Sequence, residues 1–123
     1  SKPQQADQII DFGITAFPLK ELATGPKDSL GLGENYSRYH AFDSLVTFLE
    51  NHPSKGESII LAALNSPVTS NRNSAINSLS KWTKAHWSKS IQNQLEELKN
   101  IEPNEKTKNN IERLLNGQEL SWS

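Results

Sequence analysis

Cysteine is absent from these 123 residues, which removes disulfides, thiol catalysis and zinc–thiolate sites together. Methionine is absent too, and the opening SKPQQADQ holds no signal-peptide core, so the chain reads as a processed product or an excised domain. Any targeting segment would then have been removed, and the expectation is a cytoplasmic protein. No apolar run approaches the roughly 20 residues that cross a bilayer, so no membrane span is expected. Nor does charge of one sign dominate. Thirteen basic side chains stand against fourteen acidic ones, whereas a dedicated nucleic-acid binder carries a basic excess. The length suits a single domain able to bury a core without metals or cross-links.

Helical spacing is what the chain does contain. Ile10, Ile14 and Phe17 recur at i, i+4 and i+7 until Pro18 interrupts them, and Pro18 itself suits the first turn of a short helix carrying Leu19 and Leu22. The stretch GPKDSLGLGEN, 25–35, reads as a loop. Stripes follow at Phe42, Leu45, Val46 and Leu49, and at Ile59, Ile60, Ala63 and Leu64. Further stripes lie at Ala75, Ile76, Leu79 and Trp82, at Ile91, Leu95 and Leu98, and at Ile111, Leu114 and Leu115. Thr69 or Ser70 is the expected cap of the third of these helices, and Gly117 the stop signal of the last. No segment alternates apolar and polar residues, so the expected class is all-α.

The helices repeat. SRYHAFDSLVTFLENHPSK (37–55) lies over NRNSAINSLSKWTKAHWSK (71–89) at an offset of 34. Arg38 falls on Arg72, Ala41 on Ala75, Phe42 on Ile76, Ser44 on Ser78, Leu45 on Leu79, Phe48 on Trp82 and His52 on His86. Leu61 and Leu64 then meet Leu95 and Leu98, and a partial third copy brings Ile111 and Leu114 into line. Such a period holds two helices and two turns, the anatomy of an α-solenoid in which neighbours must stack to bury one continuous core.

The pattern Arg-x-x-Ala-x-x-x-Leu, followed by Leu-x-x-Leu on a second helix, resembles HEAT-like or armadillo-like repeats across residues 37–115. The resemblance implies an α-solenoid of antiparallel helix pairs whose apolar second helices line a concave, partner-binding side. It implies nothing about catalysis, because one scaffold serves many tasks. Ser37 and Asn71 stand where the family places an acidic turn residue. The expected division is an N-terminal capping helix pair (1–24), a loop (25–35), repeat 1 (36–67), repeat 2 (68–102), a partial repeat (103–116) and a tail (117–123). A cap would present a polar outer face, and the alternative for residues 1–35 is a degenerate first repeat that continues the array.

Chemical constellations are sparse. His52 and His86 occupy equivalent places near helix ends, where a hydrogen-bonding or positive group suits the dipole, so neither is expected to ligate a metal. GLGE at 31–34 lacks the strand, lysine and hydroxyl of a phosphate cradle. The acidic residues of EELKNIEPNEKTKNNIER alternate with lysines as a solvated face does. Arg38 and Arg72 are expected to donate across the repeat stack. No catalytic residue, metal ligand or cofactor site is expected.

The partner-binding candidates are Tyr36, Tyr39 and His40, which the repeat leaves unexplained, together with Lys81, Lys84 and Trp87 of SKWTKAHWSKS. Within that segment Trp82 answers Phe48 and reads as core, His86 answers His52, and Trp87 replaces Pro53 as a turn residue over the crevice between helices. The leading expectation is a non-catalytic scaffold that binds a protein or peptide. Two alternatives stand behind it: a HEAT-like nucleic-acid binder using the lysines with Trp87, and a non-catalytic piece of a larger enzyme.

Overall fold

The computed structural model describes residues 3–27 and 36–122, with side chains for 5–27 and 38–122. Among them every regular element is helical: α1 (Pro3–Ala16), α2 (Leu19–Leu22), α3 (Tyr36–Phe48), α4 (Glu57–Leu64), α5 (Thr69–Trp82), α6 (Lys89–Ile101) and α7 (Glu105–Leu115). Single 3-10 turns follow α3 at Leu49–Asn51 and α5 at Lys84–His86. Most of the loop expected at 25–35 lies outside the described residues.

Helix ends follow local chemistry. Ser88 and Asn104 cap α6 and α7 by accepting the amides of Ile91 and Thr107. The cap expected at Thr69 or Ser70 is displaced by one position. Thr69 is already helical, Val68 precedes it in an extended conformation, and Ser66 Oγ accepts the Val68 amide. Pro18 likewise precedes α2 rather than opening it. Gly117 stops α7 as expected. At φ +72° it donates to Leu114 O while Gln118 donates to Arg113 O, the paired bonds that close a helix through a left-handed residue.

Helices α3, α5 and α7 lie side by side in one row, and α2, α4 and α6 in another. Hydrogen bonds give the direction of the first row. Asn71 reaches Tyr39 O, Ser78 reaches Val46 O and Trp82 reaches Leu49 O, so α3 and α5 run parallel. Thr107 on Asn73 and Lys84 on Leu115 O extend the same sense to α7. The chain crosses between rows at 65–68 and 102–104, where α4 packs on α5 and α6 on α7.

The core lies between the rows, and the repeat supplies it. Phe42, Ile76 and Ile111, aligned by sequence, are all fully buried, as are Leu64 and Leu98. Trp82 is buried too, and its indole donates to Leu49 O at 2.6 Å. Other aligned pairs part company. Ala75, Ser78 and Arg72 are buried against their neighbours, whereas Ala41, Ser44 and Arg38 on α3 are exposed. The same residue types form an interface inside the row and a surface at its first helix.

Helix α1 packs on α4 and buries Ala6 and Ile10, while Phe17, just past its end, meets Phe42 of α3 with ring centroids 5.4 Å apart. The inward stripe differs from expectation at one place. Gly13 takes the inner position, where an added Cβ would lie 2.6 Å from Leu45 Cδ2, and Ile14 is turned to the flank, 41% exposed. The outer face of α1 mixes polar Asp7, Gln8, Asp11 and Thr15 with apolar Phe12, 72% exposed, and Ile9, 42% exposed. Its companion α2 is a single turn, so residues 1–24 do not make a matched helix pair.

Candidate partner-binding surface

Two shallow clefts open at the C-terminal end of α5, on either side of Ser80. One, of about 160 Å³, is lined by Leu79, Ser80, Thr83, Lys84, Trp87, Leu114, Gly117 and Gln118. The other, of about 340 Å³, is lined by Glu50, Asn77, Ser80, Lys81, Glu119, Leu120 and Trp122. Together they bring Lys81, Lys84 and Trp87 onto one surface, which joins the ends of α3, α5 and α7.

Local structure explains each placement. Trp82 must point into the core, so its helix neighbour Lys81 points out. Helix α5 then stops abruptly at Thr83, whose φ of +65° and ψ of 155° are strained for a β-branched residue. His86 secures that end: its Nδ1–H donates to Trp82 O at 2.7 Å, the helix-terminal role expected of it. Its counterpart His52 instead stacks on Phe48, ring centroids 4.6 Å apart. Trp87 folds back over α5, half-buried, and donates its indole N–H to Leu79 O at 3.0 Å. Its outer edge lines the smaller cleft. The Lys84 ammonium reaches towards Leu115 O at 3.5 Å, at the C-terminus of α7, and stays exposed.

The other candidates lie elsewhere. Tyr39 is half-buried against the core and lends its carbonyl to Asn71, while His40 is exposed beside it. Both sit near the start of α3. Since Tyr39 is level with Asn71, they stand about 15 Å from Lys81 along the helix axes, at 1.5 Å of helix rise per residue. The Tyr36 side chain lies outside the described residues. The five candidates whose side chains are described therefore fall into two groups.

The second helices offer no apolar binding face. Ile59, Ile60, Ala63 and Leu64 of α4 and Ile91, Leu95 and Leu98 of α6 are all buried in the core, and the exposed positions of both helices are polar or charged apart from Ile101 at the end of α6, 52% exposed. Their apolar stripe is consumed between the rows.

Sequence reasoning missed three residues that build the surface or support it from beneath: Glu50, Asn77 and Asn110. Trp122 donates its indole to Asn77 Oδ1 at 2.9 Å, so the tail docks on α5. The signal was present in α5 and α7, because Asn77 and Asn110 stand mid-helix, where asparagine is a poor helix former and needs another reason to be there. It also missed the pair that Arg72 makes. Glu102 lies within the same unit, 68–102, whereas the donation across the stack goes to Ser66 O of the preceding unit.

Among the described residues no three His, Asp or Glu side chains converge as a metal set, and no helix is long and apolar enough to cross a membrane. Comparison with protein-family models, with curated proteins and with solved structures gave no match to this chain.

Proposed function

We propose that this chain is a non-catalytic, HEAT-like helical-repeat module, a short α-solenoid that binds a protein or peptide partner. The support for the fold is the parallel row α3–α5–α7 backed by α4 and α6, the arrangement stacked helix pairs produce. The observation that carries the binding role is the pair of clefts sharing Ser80. They set the half-buried indole of Trp87 beside two exposed ammonium groups, Lys81 and Lys84. An aromatic wall with a cationic rim suits an apolar side chain flanked by a carboxylate.

Nucleic acid fits the same surface less well. Glu50 and Glu119 line the cleft that holds Lys81, and both would oppose a phosphate backbone. Selection of a displayed random-peptide library against the full chain tests the reading. It should enrich apolar sequences with an acidic neighbour, and Lys81→Glu/Lys84→Glu should abolish their binding. A salt-dependent gel shift with generic duplex DNA, and no enriched peptide, would overturn it.

A further inference from the structure

The chain's own last residues show what one part of this surface holds. Residues 118–122 have no helix and run back along α7 beside α5. Their main chain is gripped at every second residue, the period of an extended strand. Arg113 Nη1 donates to Glu119 O at 3.2 Å. Two residues on, the Asn110 side-chain amide takes Ser121 from both sides. Its Oδ1 accepts the Ser121 N–H at 2.6 Å, and its Nδ2 donates to Ser121 O at 2.9 Å. These bonds read backbone, not side chains. The intervening residues supply the apolar contacts: Leu120 and Trp122 are half-buried against the core, with the Trp122 indole fixed by Asn77.

Asn110 has no other evident reason to be where it is. It lies mid-helix and is fully buried, and its remaining bond is to the carbonyl of Lys106 one turn back. Without a strand in the groove, its Oδ1 would lose its protein donor, a cost that water or another strand must offset. The strand itself is held by four hydrogen bonds and two half-buried side chains, with Glu119 exposed at its edge.

We propose that the α5–α7 groove is a receptor for an extended peptide strand of the form apolar–small–aromatic, and that residues 120–122 (Leu-Ser-Trp) occupy it in cis. Asn110 and Arg113 clamp the partner's backbone, Asn77 accepts from its aromatic residue, and the tail competes with it. This inference rests on the binding role proposed above and names the partner class and its competitor.

The test uses the full chain and a fluorescently labelled peptide of residues 117–123, GQELSWS. Ser121→Pro/Trp122→Ala removes the clamped N–H and the indole, freeing the groove while leaving every helix in place. Circular dichroism checks that the fold is kept. The peptide should bind this variant about tenfold or more tightly than the wild type, because the cis tail lowers the competent fraction. Adding Asn110→Ala should abolish that binding, whereas Glu97→Ala on the far row should not change it. Equal binding by the tail variant and the wild type, or binding that survives Asn110→Ala, overturns the inference. Binding that survives Asn110→Ala but is lost with Lys81→Glu/Lys84→Glu also overturns it, while leaving the broader binding role intact. A second readout needs no variant that disturbs the tail's sequence. The Ser121 amide should exchange slowly in the wild type and rapidly in Asn110→Ala, and unchanged exchange would count against the clamp.

Discussion

Arg72 and Glu102, 30 residues apart in sequence, meet in a two-point ion pair with both side chains fully buried. Nε and Nη2 of the arginine each lie 2.7 Å from a carboxylate oxygen. The guanidinium also donates to Ser66 O, and the carboxylate accepts the Asn104 amide. One pair thus ties the two crossings between helix rows, 65–68 and 102–104.

Breaking that pair from one side should be severe. Glu102→Gln leaves the Arg72 charge buried without its counter-ion and should cost about 3–5 kcal/mol. Urea denaturation reads the loss. Arg72→Met/Glu102→Leu should recover most of it, since a well-packed apolar replacement removes both desolvation costs. A single variant within about 0.5 kcal/mol of wild type would show that the pair does not brace the crossings.

Trp82 combines packing with a hydrogen bond. Trp82→Phe keeps a ring in the core and loses one hydrogen bond, leaving Leu49 O with the His52 amide alone, and should cost about 0.5–1.5 kcal/mol. Trp87→Phe, at a half-buried position, should cost less. Thermal melts followed by circular dichroism would rank the two, and the reverse ranking would move the aromatic anchor to Trp87.

Gly56 precedes α4 at φ +69°, and a Cβ there would stand 2.9 Å from Leu49 Cδ1. Gly56→Ala should therefore destabilise by roughly 1–2 kcal/mol, from the left-handed backbone before any clash is added. Gly→Ala in an unstrained position would stabilise instead, so the sign of the change in urea midpoint decides.

Phe12 and Phe42 are chemically identical and structurally opposite, the one 72% exposed and the other fully buried. Phe12→Ser should leave stability within about 0.5 kcal/mol. Phe42→Ala should remove about 3–5 kcal/mol. Comparable losses from both would mean that α1 is covered in solution.

Legibility in the sequence followed the kind of interaction. The all-helical class and the aligned core were readable, because Phe42, Ile76 and Ile111 repeat an apolar demand that each helix imposes alone. Position in the row was not readable. Ala41 and Ala75, or Arg38 and Arg72, are the same letters with different neighbours, and only packing separates them. On α1 the period pointed to Ile14, while the inner place went to Gly13, where the Leu45 side chain fills the space a Cβ would take. Of the candidate surface, Lys81, Lys84 and Trp87 were visible as a departure from the repeat. Asn77 and Asn110 were not, because their roles depend on a tail that folds back over distant polar groups.

The most direct measurement is a titration of the ¹⁵N-labelled Ser121→Pro/Trp122→Ala chain with unlabelled GQELSWS, followed by amide and asparagine side-chain resonances. The expected result is a saturable shift confined to the side-chain amides of Asn77 and Asn110 and to the backbone around Arg113. Shifts centred on the exposed side of α4 and α6, or none at peptide saturation of the solvent, would contradict a binding groove between α5 and α7.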